Sequence, residues 1–339
     1  MLYWKKFKGS DKVMTKERLL DLFEQNRGKY FSGEDIAQEL SVSRAAVWKA
    51  VKALQSDGYD IDAVPNKGYC LSYSTDILSS QGIQKYLSAD TPKIDINVVP
   101  ITNSTNTIIR EKINTGISEG YLVIANEQSS GRGRLGRSFF SPKDTGIYMS
   151  LLLKPKYCSG EQATKITTIA AVAVCEAIES ISNEVAKIKW VNDIFVRNKK
   201  VCGILTEGSF NLESGQLDHA ILGIGINVYM PKDGFPDDLK QIAGSIFCSS
   251  QNDAKNRLVS EFLNRFFIYY KENVNSNNLD YAEEYRKRSL VIGKEVSLIS
   301  SDKPKTATVI DIDDRCRLKV RYNDGTEEYF SSGEISIKI

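Results

Sequence analysis

The sequence predicts an α+β protein in three parts: an N-terminal winged helix-turn-helix, a central α+β region and a C-terminal small β-barrel. Three observations carry this. Residues 16–73 show helical periodicity that gives way to a hairpin pattern. From about 96 to 290, strand-like runs follow one another with helices that do not strictly alternate, which indicates α+β rather than a doubly wound fold. From 291 onward, short β-rich runs are separated by turns such as Asn323-Asp324-Gly325.

In order, Lys16 to Asn26 places Leu19, Leu20, Leu22 and Phe23 at helical spacing. Ser32-Gly33-Glu34-Asp35 has the composition of a helix start, and Ile36, Ala37 and Leu40 supply the apolar face. Ser41-Val42-Ser43 turns into another helix whose Val47, Ala50, Val51 and Leu54 follow the i, i+3, i+4, i+7 rule, leaving Arg44, Trp48, Lys49 and Lys52 outside. Gly58 stops it, and a hairpin turns at Pro65-Asn66-Lys67-Gly68. Three helices and a hairpin form a winged helix, in which the helix from Ser43 enters the major groove and the Lys67 wing meets the backbone. Ser43, Arg44, Ala45, Trp48, Lys49 and Lys67 are the candidate DNA contacts, with Ser32 and Ser41 as further candidates. Residues 1–74 hold 12 Lys and Arg against 10 Asp and Glu, so charge alone does not separate a DNA reader from a protein-binding module; the clustering of basic residues on one helix and the wing favours DNA.

Residues 76–95 read as a linker containing one helix, Ser80 to Leu87. Strands are expected at 96–101, 121–126, 147–154, 185–190, 193–197, 201–207 and 219–228. Helices are expected at 104–114, 162–182, 253–272 and 279–287, the second apolar enough to be a core helix. The tail suggests strands at 295–299, 306–312, 318–322, 328–330 and 335–339.

Composition narrows the chemistry. With 45 Lys and Arg against 43 Asp and Glu, the net charge of +2 creates no global field. No apolar run approaches the roughly 18 residues of a membrane span, and the first residues lack a signal-peptide core, so a cytoplasmic protein without membrane contact is expected. The six cysteines, at 70, 158, 175, 202, 248 and 316, form no C-x-x-C pair; buried free thiols and no protein metal site are expected. The single histidine, His219, nearly excludes histidine triads and histidine general bases. Any chemistry must work by positioning and charge stabilisation.

The most informative stretch is Gly131-Arg132-Gly133-Arg134-Leu135-Gly136-Arg137, between strand-like runs at 121–125 and 147–153. Its glycines let the backbone approach a ligand, and its arginines offer planar donors to phosphate or carboxylate. It formally fits the dinucleotide pattern G-x-G-x-x-G, but Ser141-Pro142 and a strand follow where that pattern needs a helix. A phosphate-cradling lysine loop lacks its lysine and helix, and disordered arginine-glycine tracts do not sit between apolar strands. A loop that closes over an anionic small molecule is the better reading. Four further segments converge on such a site: Asn103-Ser104-Thr105-Asn106, with helix-cap composition; Gln128; Lys189-Trp190-Val191-Asn192-Asp193; and Gly223-Ile224-Gly225-Ile226-Asn227, whose missing side chains let a ligand lie on a sheet.

Taken together, these segments, the winged helix with Ser43-Arg44-Ala45-Ala46 and the terminal Gly333-Glu334-Ile335-Ser336 make the chain resemble the bifunctional biotin–protein ligase and biotin operon repressor family over nearly all its length. The resemblance implies a winged helix at 1–75, a linker at 76–95, a ligase domain with a mixed sheet at 96–290 and a small β-barrel at 291–339. It implies that biotin and ATP form biotinyl-5′-adenylate, with Mg²⁺ on the phosphates, and that biotin passes to a lysine of a biotin carboxyl carrier protein. Ser104, Thr105, Asn106 and Gln128 would surround the ureido head, with Gly223 beneath. Arg132, Gly133 and Arg134 would cover the ligand, and Lys189 would face the carboxylate and then the phosphate. Gly131, Arg132, Arg134, Asn192, Asn227 and Lys338 would meet the nucleotide. The resemblance also implies an adenylate-bound homodimer on operator DNA.

Departures are Val191 where relatives commonly carry proline, Phe139 where tryptophan is common, and Lys338 in place of arginine. Phe247 is the candidate for stacking on adenine. Two other functions fit the same fold and head: a lipoyl-type acyl ligase, and a ligand-sensing repressor without ligase activity.

Overall fold

The computed structural model describes residues 11–155, 163–211, 213, 215–274, 280–299, 305–331 and 334–337. The chain divides into two compact units, Met1–Tyr86 with Gln251–Arg257, and Leu87–Ser250 with Leu258–Ile339. The segment read as a linker is thereby split at Tyr86, and the C-terminal region belongs to the same unit as the central one.

The first unit contains α1 (Asp11–Gln25), α2 (Gly33–Leu40), α3 (Arg44–Ser56), β1 (Ile61–Val64), β2 (Gly68–Leu71) and α4 (Ser80–Gln84). α1 begins five residues before its apolar pattern does, and α4 ends three residues before Leu87. Ser32 caps α2 by accepting from Asp35 N at 3.1 Å, and Ser43 caps α3 by accepting from Ala46 N at 3.2 Å. Ser41 ends α2 in the left-handed conformation, so the chain turns sharply into α3. Leu19, Phe23, Ile36, Val47, Val51, Leu54 and Leu71 are buried at 0–1% exposure, which is the core that the helical spacing specified. β1 and β2 pair antiparallel, and Phe31 bridges to Tyr69, tying the wing to the segment before α2.

Beneath this core lies a buried ionic cluster. Glu24 takes Arg27 Nε at 2.8 Å and Lys85 Nζ at 2.7 Å, while Asp253 takes Arg27 Nη2 at 2.9 Å and Lys85 Nζ at 2.7 Å. Tyr86 and Asn256 donate to Asp253 as well, and Arg27 donates to Thr75 O. Burial disfavours the charged form of Arg27, but its hydrogen bonds and attraction to Glu24 outweigh this and hold its pKa above the ordinary value. Two carboxylates thus meet two cations with their remaining lone pairs satisfied, the condition under which buried charge is tolerated.

The second unit is built on a seven-stranded sheet in the order β3-β4-β5-β9-β8-β7-β6. Its strands are β3 (Asp95–Val99), β4 (Tyr121–Ala125), β5 (Gly146–Leu153), β6 (Ala186–Lys189), β7 (Asp193–Val196), β8 (Lys199–Phe210) and β9 (Leu217–Asn227). β3 and β4 are parallel and the other neighbours antiparallel, so the sheet is mixed. Its helices are α5 (Thr105–Ile113), α6 (Ala163–Ser182), α7 (Ala254–Val274), whose first residues are grouped with the first unit, and α8 (Asp280–Lys287). α6 is the expected core helix, with Ala170 to Cys175 fully buried.

The C-terminal strands, β10 (Glu295–Ile299), β11 (Lys305–Ile312), β12 (Leu318–Arg321), β13 (Glu327–Phe330) and β14 (Glu334–Ile337), form an antiparallel sheet in the order β13-β12-β11-β10-β14. Among the described residues this order gives five paired strands, without a pairing between β13 and β14 that would close them into a barrel. Among the described residues no helix is long and apolar enough to cross a membrane. Cys70, Cys175, Cys202 and Cys316 are buried free thiols; Cys248 is exposed, contrary to expectation, and Cys158 lies outside the described residues.

Replacing Glu24 by alanine leaves Arg27 and Lys85 short of a counter-charge in a buried setting. The expected cost to the first unit is about 3–5 kcal/mol, the usual penalty for breaking a buried pair from one side. Denaturant unfolding checks this; a loss below about 1 kcal/mol contradicts it.

Candidate functional site

A cavity of about 590 Å³ opens on the second unit, within the range of small-molecule sites. Its floor is β9, where Gly223, Gly225 and Asn227 alternate on one face. A Cβ at Gly223 would fall 2.5 Å from Asn106 Oδ1, and one at Gly225 would fall 2.4 Å from the Phe139 ring. The missing side chains are therefore what let α5 and the segment after the glycine-arginine loop lean over the sheet.

One wall is the start of α5. Ser104 occupies the N-cap, but its hydroxyl makes no capping bond, unlike those of Ser32 and Ser43. Ser104 lines the cavity together with Thr105 and Asn106. A buried polar chain fixes these residues. Thr105 N donates to Gln128 Oε1 at 2.9 Å, and Gln128 Nε2 donates to Ser141 Oγ at 3.1 Å. Ser150 Oγ meets both Thr105 Oγ1 and Asn106 Oδ1, while Asn106 Nδ2 donates to Glu207 Oε2 at 2.6 Å.

The glycine-arginine loop forms a small hairpin. Phe139 N donates to Gly131 O at 2.9 Å, Arg132 bridges to Ser138, and Gly133 N donates to Arg137 O at 2.7 Å. Leu135 at its tip takes a left-handed backbone and is 74% exposed. Arg134 Nη1 donates to Asn192 Oδ1 at 3.0 Å, and Asn192 Nδ2 donates to Ile204 O at 2.8 Å, so the loop is clipped to the β6–β7 turn.

Among the described residues Arg132, Arg134, Arg137, Lys189 and Lys200 line the cavity with one carboxylate, Asp193, which pairs with Lys200 at 2.6 Å. This concentration of cationic side chains suits an anion. Lys189 ends β6, and the next peptide, Trp190–Val191, is cis. Trp190 Nε1 donates to Cys316 O at 2.9 Å and Tyr285 OH to Val191 O at 3.0 Å, anchoring this turn from two sides.

The structure thus brings Ser104, Thr105, Asn106, Gln128, Arg132, Gly133, Arg134, Lys189, Asn192, Gly223 and Asn227 to one cavity. Gly131 does not line it. It sits beneath the loop, where a Cβ would fall 2.4 Å from Phe139 O. Phe247 packs on Tyr229 and is not among the lining residues; the aromatic residues that line the cavity are Phe139, Phe140, Trp190, Phe195 and Phe235. Lys338 and Gly333 lie outside the described residues. Sequence reasoning missed Ser150, Ser141 and Glu207. Ser150 did leave a signal, as the one serine inside the run 146–153, whose residues are all buried.

In the first unit, Arg44, Ala45, Trp48, Lys49 and Lys67 are exposed, Trp48 at 53%. Arg44 makes a loose surface pair with Glu34 at 3.6 Å. The hydroxyls of Ser32 and Ser43 are engaged in capping, and Ser41 is exposed at the turn. A continuous exposed face of α3 is thereby left for a partner.

Comparison with known proteins agrees with this division. Residues 98–227 match the biotin/lipoate A/B protein ligase family, 15–70 an HTH domain and 291–338 the biotin protein ligase C-terminal domain. The bifunctional ligase/repressor BirA of Bacillus subtilis is 31% identical over 93% of this chain and 96% of its own length. The same-named protein of Escherichia coli is 26% identical over 92% of this chain and 94% of its own length. Biotin protein ligase from Aquifex aeolicus in complex with biotin and ATP superposes with a TM-score of 0.61 at 26% identity, covering 72% of this chain and 98% of that one. With the length of the Bacillus match and three family models falling in the same order along the sequence, this chain belongs to the bifunctional ligase/repressor family of biotin protein ligases.

Proposed function

We propose that the cavity joins biotin to ATP as biotinyl-5′-adenylate and then transfers biotin to a lysine of a biotin carboxyl carrier protein. The observation that carries this is the convergence of a polar wall and a cationic loop over a glycine floor in one cavity, from segments far apart in sequence. In the first step a carboxylate oxygen attacks the α-phosphorus and pyrophosphate leaves. In the second, the neutral acceptor amine attacks the acyl carbon, AMP leaves and the amine loses a proton.

Bringing a carboxylate to a phosphate requires screening two anions, and preorganised cations lower that barrier. Lys189 takes this role, with Arg132 and Arg134 covering the phosphates. Ser104, Thr105, Asn106 and Gln128 receive the ureido head over Gly223. Gly131 shapes the loop from beneath, while Asn192 holds Arg134 and Asn227 borders the nucleotide end. Mg²⁺ would enter on the ATP phosphates, where it would screen their charge. The regions 1–75, 96–290 and 291–339 act as DNA-binding head, ligase domain and C-terminal domain, the last read as the family's small barrel. α3 and the wing read operator DNA as an adenylate-bound homodimer, in the cytoplasm where ATP and carrier protein are at hand.

Incubation with biotin, Mg-ATP and a carrier domain, followed by intact-mass measurement, tests the reading; a carrier without added biotin defeats it, and lipoic acid in its place is the control for the related acyl ligases. Lys189→Ala is expected to lower biotin-dependent ATP–pyrophosphate exchange about 100-fold or more, the scale of removing one preorganised charge stabiliser. Near-normal exchange removes Lys189 from the mechanism. Arg134→Gly frees the loop from Asn192 and is expected to release adenylate, measured as biotin on bystander proteins; unchanged selectivity contradicts the clip. Operator DNA is expected to bind more tightly with biotin and ATP present, and equal affinity in a titration separates the head from ligand sensing.

A further inference from the structure

We propose that Glu207, in the second half of β8, is a positioning residue for biotin recognition; this rests on the biotin-activating reading above. Glu207 Oε2 accepts from Asn106 Nδ2 at 2.6 Å and from Arg110 Nη2 at 2.7 Å. Asn106 and Arg110 are four residues apart, one above the other on the same face of α5. A single carboxylate oxygen therefore clamps the first turn of the helix, which carries Ser104 and Thr105, to the sheet.

The clamp also decides which way the Asn106 amide points. Asn106 is 4% exposed, with Oδ1 beside the Ser150 hydroxyl and Nδ2 on the carboxylate. A flip would set its oxygen against the Glu207 carboxylate, two acceptors facing each other, whereas the Ser150 hydroxyl can serve either end of the amide; the carboxylate therefore selects the orientation. Nor can the side chain drift, because Oδ1 already occupies the space that a Cβ at Gly223 would fill. The same Ser150 hydroxyl touches Thr105 Oγ1 at 2.6 Å, and Thr105 N is held by Gln128. Orientation set at Glu207 is thus passed along hydrogen bonds to the Thr105 hydroxyl, which is assigned with its neighbour Ser104 to the ureido head.

This arrangement is poorly explained as a stabilising device. The side chains of Glu207 and Arg110 are 33% and 44% exposed, and ion pairs in such settings contribute little. The charge is less important than the acceptor, since both bonds end on one oxygen that a glutamine could supply.

The test is biotin-dependent ATP–pyrophosphate exchange with the full chain, varying biotin and ATP separately. Wild-type exchange is measured first; if it is absent the functional reading itself fails, independently of Glu207. Glu207→Ala is expected to raise KM for biotin roughly 10-fold or more, the scale of leaving a buried amide without its partner, with KM for ATP and kcat within about threefold. Glu207→Gln, which keeps an acceptor oxygen in place, is expected to retain a biotin KM within about threefold of wild type. The inference is overturned if Glu207→Ala leaves the biotin KM unchanged, if it impairs the biotin and ATP terms alike, or if Glu207→Gln is as defective as alanine. Should Glu207→Ala not fold, Arg110→Met removes one side of the clamp at an exposed position. It is expected to raise the biotin KM in the same direction by a smaller factor, about threefold, and no shift again overturns the inference.

Discussion

The absence of side chains on one face of β9 is the constraint from which the cavity follows. Gly223 and Gly225 are two residues apart, so both open the same face, and Gly203 of β8 pairs directly with Gly225. Sheet surface that would elsewhere be covered by its own side chains is instead covered by visitors: the Asn106 amide over Gly223 and the Phe139 ring over Gly225. These visitors come from the beginning of α5 and from the end of the arginine loop. The floor therefore recruits both the polar wall and the cationic lid. Adding a methyl group at either glycine would displace one of them, which ties a backbone property of one strand to the chemistry of two distant segments.

Much of this was legible in the sequence because each element leaves a local trace. Periodicity located the helices of the winged unit to within a few residues, and the caps at Ser32 and Ser43 were written in residue type alone. Glycine and arginine marked the loop, since no other residues combine close approach with fixed positive charge. What remained hidden was of two kinds. Ser104 reads as an ordinary cap, and only coordinates reveal that its hydroxyl is not spent on the helix. Glu207 acts through a partner 101 residues away and Ser141 through one 13 residues away, and such pairing follows from how helix, loop and sheet pack together rather than from local pattern. The closure of the C-terminal sheet is likewise a long-range property: its β-runs are read off easily, but the pairing order that leaves β13 and β14 at opposite edges is not.

The substitution of valine at 191 looked from sequence like a loss of definition beside the proposed catalytic lysine. The structure relocates that definition to neighbours. The Trp190 indole is 4% exposed and donates to Cys316 O, and the fully buried Tyr285 phenol donates to Val191 O. Burial pushes Tyr285 well above the ordinary phenol pKa, so it remains a proton donor throughout the working range. Lys189 is therefore held at a strand end whose following turn is fixed by α8 and by the C-terminal region, not by a rigid ring at 191.

That anchoring gives the C-terminal region a reason to be in this unit. Cys316 lies between β11 and β12, and Ile335 of β14 reaches the cavity lining. A region that could be mistaken for an appended module thus contributes both a wall and a fixed acceptor to the site. The chain has almost no histidine with which to move protons, and the proposed chemistry needs none in its first step, where an anionic nucleophile and an anionic leaving group are already in their reactive forms. What such a step demands is cations and substrate heads held still. The hydrogen bonds that hold Thr105, Asn106, Arg134 and Trp190 are the physical answer to that demand: Gln128 and Asn192 fix their neighbours from within the cavity wall, and Glu207 and the Cys316 carbonyl do so from outside the lining.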